Sequence, residues 1–290
     1  MRIVYIGKWP PILGGTCNQT YWTLNELGKR GHEITVVSNC MEVEETYRCK
    51  LDEKDIEMLQ PENVKLKSTL PVKTPRFIPQ NNPYMEKISS LATEAVEELG
   101  PDLILSRYFQ PYSLAGHYVS KLTNLKHVVM HAGSDITRLL HYPQLNKINE
   151  RMLRDATAVL TNEVLSEFFK DLGATPITLN YAPAEILNPY DENLELPSQI
   201  EHPERTVLFL GKISKAKGIE YAINALSDVD EAHLVIVGSG KTGFLERLID
   251  ERKLGNRVCF LGALPHWRIP SIIRQTKTTI IPEYNFGVNV

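Results

Sequence analysis

The sequence predicts an α/β chain made of two doubly wound domains, the second of them incomplete. Three observations predict it. Short apolar or β-branched runs alternate with helical stretches along most of the chain, which is the pattern of a parallel sheet covered by helices. The alternation breaks at residues 183–205, PAEILNPYDENLELPSQIEHPER, a stretch rich in proline and acid, and then restarts. The length, 290 residues, exceeds one ordinary domain and suits two of about 100–200 residues each. The expected division is therefore 1–182, a linker at 183–205, and 206–290, with each domain Rossmann-like.

The elements follow in order. Arg2–Ile6 is an apolar strand, and Pro10, Pro11, Gly14 and Gly15 make the turn after it. Cys17, Tyr21, Leu24 and Gly28 recur at helical spacing, and Gly31 stands where a helix ends. Glu33–Ser38 is the second strand, and such a β-α-β unit forces a parallel pair. Residues 41–83 read as irregular: acids are frequent from Glu42 to Glu57, and prolines 71, 75, 79 and 83 punctuate a loop. A helix is expected over 84–99, stopped by Gly100 and Pro101, then strands at Leu103–Ser106, Val128–His131, Ala158–Thr161 and Ile177–Leu179. Past the linker come a strand at Thr206–Leu210, a helix at 218–226, a strand at His233–Val237, a helix at 241–253, and strands at Val258–Leu261 and Thr278–Ile281. That second set is thin for a closed doubly wound sheet.

Composition narrows the function. With 42% hydrophobic and 23% charged residues the chain can bury a core, and a net charge of −3 gives no global pull toward nucleic acid or anionic lipid. No basic patch, recognition helix or aromatic platform argues for nucleic-acid binding. The cysteines at 17, 40, 49 and 259 form no C-x-x-C pair and no zinc-spaced cluster, so reduced thiols in a cytoplasmic protein are expected. The apolar run at the N-terminus ends at prolines, unlike a secretory signal, and no segment approaches the roughly 20 apolar residues of a spanning helix. Contact with a membrane surface stays open.

Five segments carry possible chemistry. In PPILGG, residues 10–15, Gly14 and Gly15 sit between a strand and a helix, where backbone N–H groups approach an anion; the alternative is a plain βα turn. The spacing is not G-x-G-x-x-G, which argues against a nicotinamide-dependent oxidoreductase. In HVVMHAGSDI, residues 127–136, His131 ends a strand, where open α/β sheets place ligands, and Gly133, Ser134 and Asp135 follow in a turn; a capping or packing histidine fits equally. In FLGKISKAKGIEYAINAL, residues 209–226, Lys212 and Lys217 flank a loop before a helix, a pocket suited to a diphosphate, unless they are two solvated lysines. In VIVGSGKTGFLERLI, residues 235–249, Gly238 and Gly240 permit close approach to a nucleotide, or simply form a turn. In PEYNFG, residues 282–287, Glu283 lies at a strand's carboxyl end, placed for a pair of sugar hydroxyls or as a surface acid.

Taken in order, these segments resemble glycosyltransferase family 4, which has the GT-B fold. PPILGG with LNELGKRGHEITVVS resembles its opening and HAGSD its H-G-S-D element. RDATAVLTNEVLSEFF and NYAP resemble the approach to the linker, and GKISKAKG resembles G-R-x-x-x-x-K-G. VGSG, VCFLGALP and IPEYNFG resemble its nucleotide-side motifs. The resemblance covers most of the chain outside residues 41–100. It implies an acceptor-side first domain and a second domain that binds a UDP- or GDP-type sugar. It also implies transfer to a hydroxyl with retention, no cofactor and no metal. His131, Lys217 and Glu283 would be catalytic. Gly14, Gly15, Asp135, Lys212, Lys217, Gly238, Gly240 and Glu283 would hold the donor. The acceptor would be a glycan, lipid or small molecule, and the setting glycan biosynthesis in the cytoplasm, with peripheral membrane contact allowed.

Lys212 replaces the family's arginine, which keeps the charge but loses the bidentate fork. Ala132 replaces the usual glycine after the histidine, and Glu283 aligns only with a gap. The family's second glutamate would fall at position 291, so the resemblance leads us to expect a truncated second domain with little activity of its own. An inactive or regulatory sugar-nucleotide-binding fragment is the alternative reading.

Overall fold

The structure, a computed structural model, describes residues 1–71, 83–179 and 196–282. The chain divides into two compact units, Met1–Glu44 with Asp52–Ile186, and Leu187–Asn289 with Glu45–Leu51. Most of the linker expected at 183–205, the NYAP segment and Glu283 lie outside the described residues.

Among the described residues of the first unit the strands are β1 (Arg2–Ile6), β2 (Glu33–Ser38), β3 (Val64–Ser68), β4 (Leu103–Arg107), β5 (Lys126–Met130), β6 (Ala158–Thr161) and β7 (Pro176–Thr178). They form one parallel sheet in the order β3-β2-β1-β4-β5-β6-β7. The order reverses between β1 and β4, so the strand ends there open a crevice in which such sheets take their ligands. The helices are α1 (Gly15–Lys29), α2 (Glu53–Glu57), α3 (Tyr84–Leu99), α4 (Leu114–Thr123), α5 (Asn146–Asp155) and α6 (Glu163–Asp171). Val4, Ile6 and Ile104 pack against Ile88 and Ala92 of α3 and Ala115 and Val119 of α4. Val129 and Val159 pack with Met152 and Leu153 of α5 and Phe169 of α6. Central strands are buried nearly throughout, as parallel strands with both faces covered must be.

The second unit repeats the plan at smaller scale. Its described strands β8 (Thr206–Leu210), β9 (His233–Val237), β10 (Val258–Gly262) and β11 (Thr278–Ile280) are parallel, in the order β10-β9-β8-β11. Its helices are α7 (Ile219–Leu226), α8 (Gly243–Glu251) and α9 (Ile269–Gln275). Alternate residues face opposite ways. Phe209, Leu234 and Ile236 meet Ile219 and Ile223 of α7 and Leu245 and Ile249 of α8, whereas Leu208, Val235 and Val237 meet Ile272 of α9 and Ile200. This four-stranded sheet therefore carries apolar layers on both faces, and both units have the expected α/β architecture.

One region departs from expectation. Residues 41–83, read as irregular, contain α2, closed by a capping box between Asp52 and Asp55, and the edge strand β3 paired from Ile34↔Val64 to Ser38↔Ser68. The strand VKLKS hides because lysine occupies alternate positions. Lys67 is held by Glu94 and Glu98 of α3, each at 2.7 Å, and charged side chains of this kind suit a sheet edge.

Candidate functional site

In the first unit the candidate residues collect at the carboxyl ends of β1, β4, β5 and β6. After β1 the loop is pinned from inside. Trp9 is fully buried, donates from Nε1 to the Leu59 carbonyl at 2.9 Å and packs 5.2 Å from the Tyr21 ring. The loop then rises to Gly14 and Gly15, both exposed at the start of α1. Gly14 has φ +127°, a conformation that a side chain would strain, and a Cβ built on Gly15 would meet nothing within 4 Å. No side chain caps α1 and no acid sits in its first turn, so the partial positive charge of the helix end is not offset locally.

His131 is the first residue past β5. Its Nε2 lies 2.9 Å from Oγ1 of Thr161, the last residue of β6, and its ring packs 5.0 Å from Phe169. Burial, assisted by the charge of Arg107, pushes its pKa down to about 4. The ring is thus neutral near pH 7, a hydrogen-bonding group and not a cation, and Nδ1 has no partner among the described residues. Asp135 turns inward. It is fully buried, its Oδ2 accepts the Ala132 N–H at 2.8 Å, and burial raises its pKa to about 6. Its carboxylate closes the turn that carries His131; it is not exposed at the surface.

Sequence reasoning missed Arg107, the last residue of β4. It is 8% exposed, Nη2 donates to Oε1 of Gln19 at 2.5 Å, and Nε and Nη1 have no partner among the described residues. Tyr108 follows with φ +76°; Lys8 Nζ sits 4.2 Å from the centre of its ring, and Ser134 Oγ donates to its hydroxyl at 3.1 Å. A lone arginine after a strand has no motif spacing, so nothing in the sequence marked it.

In the second unit β8 runs into the lysine loop. Lys212 is exposed and Lys217 half-buried, with a short helical turn at Lys215–Lys217 before α7. Ile213 is buried and anchors the loop. The Gly211 and Ile213 N–H groups donate to the Val237 and Ser239 carbonyls at 3.0 and 2.8 Å, and the Gly238 N–H donates to Gly262 at 2.8 Å. This fixes the meaning of the glycine pair. A Cβ at Gly238 would fall 1.8 Å from the Gly211 oxygen, and one at Gly240 would fall 2.3 Å from the Ile213 oxygen. The close approach that these glycines allow is to the neighbouring lysine loop. Gly218, φ +68°, does the same for the β11 end, since a Cβ there would lie 1.7 Å from the Pro282 oxygen. The residue before Glu283 is thereby held against the start of α7, at the point where this sheet's order reverses.

Residues 192–290 match the family model of glycosyl transferases group 1. The chain is similar to the uncharacterized glycosyltransferase MJ1607 of Methanocaldococcus jannaschii, 22% identical across 95% of this chain and 72% of that one. In fold it is similar to the sucrose-phosphate synthase tll1590 from Thermosynechococcus elongatus, with a TM-score of 0.63 and 15% identity over 99% of this chain and 77% of that one. It is also similar to Anabaena Alr3699/HepE in complex with UDP-glucose, with a TM-score of 0.61 and 18% identity over 96% and 73% of the two chains. The domain match and these neighbours support a GT-B glycosyltransferase. Among the described residues no helix is long and apolar enough to cross a membrane.

Proposed function

We propose that the chain is a retaining, metal-independent glycosyltransferase of the family 4 type that moves a sugar from a UDP- or GDP-type donor to an acceptor hydroxyl. The observation that carries the reading is the lysine loop at the carboxyl end of β8. It lies inside the region matched to glycosyl transferases group 1, and it sets Lys212 and Lys217 before the N-terminus of α7.

As the sugar–phosphate bond breaks, negative charge grows on the departing diphosphate. Two ammonium groups and a helix N-terminus favour that charge more as it develops, which is how a preorganised site lowers a barrier. No metal is needed to supply the positive charge. The neutral imidazole of His131 suits a sugar hydroxyl, because it hydrogen-bonds without adding charge. Gly14 and Gly15 offer open backbone for the donor, Glu283 is assigned to its sugar, and Asp135 serves it by shaping the His131 turn. Gly238 and Gly240 act by holding the lysine loop in place. The acceptor is a glycan, lipid or small molecule, used in glycan biosynthesis at the cytoplasmic side, with peripheral membrane contact.

Isothermal titration with UDP and UDP-glucose tests the reading. Lys217→Ala should weaken both by roughly 10- to 100-fold, the value of a hydrogen bond to a charged group, and Lys212→Ala, at an exposed position, by less. Unchanged affinity in Lys217→Ala would remove the diphosphate assignment.

A further inference from the structure

Arg107 is a buried charge that makes no ion pair among the described residues. A guanidinium taken out of water costs several kcal/mol unless it is paired and its N–H groups are satisfied. Arg107 is 8% exposed, yet its one hydrogen-bond partner among the described residues is the neutral amide of Gln19, and Nε and Nη1 are left bare. The carboxylate nearest in effect, Asp135, spends Oδ2 on the Ala132 N–H and makes no ion pair with Arg107, although the two charges act on each other. Lys8, at the end of the adjacent strand, adds a second cation, and both Lys8 and Arg107 act on Asp135. Two cations and one inward-turned acid thus share the strand ends at the reversal point between β1 and β4, where open α/β sheets take ligands.

We propose that Arg107 receives an oxyanion, and that the acceptor of the first unit therefore carries a phosphate or carboxylate group near the hydroxyl that is glycosylated. The Gln19 amide supplies the neutral oxygen that such an anion would replace. Its amide oxygen is an acceptor at 2.5 Å from Nη2, and the residue is exposed on α1, so it is free to swing aside. An anionic oxygen then replaces a neutral one and gains a charge-assisted bond. The planar, permanently charged guanidinium matches an oxyanion better than lysine does. The acceptor's place in this inference rests on the transferase reading; the anion site itself does not.

The test is titration of the whole chain carrying Lys212→Ala and Lys217→Ala, which silences the lysine loop, with inorganic phosphate and separately with acetate. One of the two should bind, which says whether the acceptor group is phosphoryl or carboxylate. Added Arg107→Gln should weaken that binding by roughly 10- to 100-fold, and Arg107→Lys by less. Gln19→Ala, at an exposed helix position that leaves the fold intact, should tighten it. No binding of either anion, indifference to Arg107→Gln, or loss of binding in Gln19→Ala would each overturn the proposal. The two readings fail separately: UDP affinity indifferent to Lys217 sinks the donor assignment, and phosphate affinity indifferent to Arg107 sinks this one.

Discussion

The strand-end loops of the two units solve different problems with different residues. In the second unit the loops after β8, β9 and β11 are locked to one another through backbone, with Gly238, Gly240 and Gly218 giving the clearance, while Lys212 stands exposed. In the first unit the glycine loop stands open, and the polar groups behind it are drawn inward: burial shifts the pKa values of His131 and Asp135, and Nε and Nη1 of Arg107 have no hydrogen-bond partner among the described residues. One unit holds its charges outward on a rigid frame. The other keeps its charges inside, where a low dielectric makes each of them matter more.

If that contrast is right, the largest effect on stability belongs to the second unit's glycines. Gly238→Ala places a methyl group 1.8 Å from the Gly211 oxygen at a φ of +155°. Neither side can yield without breaking the Gly211–Val237 and Gly238–Gly262 hydrogen bonds. The expected cost is about 3 kcal/mol or more, seen as a fall in Tm together with lost UDP affinity. A near-native Tm would mean that the loops are not interlocked, and the contrast would lose its second half.

The same difference explains what was readable. In the second unit the chemistry lies in segments of consecutive residues, GKISKAKG and VGSG, so spacing alone placed Lys212, Lys217 and both glycines on their loops. What spacing did not reveal was that the glycines serve the chain's own backbone, because a missing Cβ looks the same in sequence whether it makes room for a ligand or for a carbonyl. In the first unit the group is assembled from β1, β4, β5 and β6, and Arg107 is 24 residues from His131 along the chain. Its burial is a property of the folded sheet that no local pattern carries. Strand β3 was missed for a related reason, since its lysines are satisfied by α3, an element distant in sequence.

A middle-sized effect comes from acid, and the first unit carries most of it, although burial also pushes His266 of the second unit down to about 3. His131 and His127 are pushed below their ordinary pKa of 6.5, to about 4 and about 3, chiefly by burial. The unfolded chain takes up their protons first, so the stability they contribute is whole above pH 6.5 and is lost as pH falls toward 4. Asp135 works the other way. Its pKa is raised from 3.8 to about 6, so the strain of ionising it is relieved as pH falls through 6. Two histidines outweigh one acid, and each should cost about 1 kcal/mol near pH 5.5. Thermal melts from pH 7.5 to 5 should show Tm falling, and His131→Gln should flatten part of the fall. A Tm that does not depend on pH in that window would mean that these histidines are hydrated in solution.

The smallest stability change is expected at Gly15, and this makes it the sharpest probe of the open loop. A Cβ there meets nothing within 4 Å, its φ lies outside the left-handed region, and it is the first residue of α1, where alanine is if anything the better helix former. Gly15→Ala should therefore leave Tm within about 1 °C, a change well below 0.5 kcal/mol. Gly14→Ala, strained at φ +127°, should cost about 1–2 kcal/mol, so the pair separates backbone strain from ligand approach. If the bare backbone at residue 15 is there to let the donor come close, Gly15→Ala weakens UDP-glucose binding while the fold is untouched. UDP alone, which lacks the sugar, then shows whether the contact is to sugar or to phosphate. Equal affinity for both ligands in Gly15→Ala and in the parent chain would reduce the glycine loop to an ordinary turn between β1 and α1, and would leave Arg107, His131 and Lys8 as the first unit's whole contribution to binding.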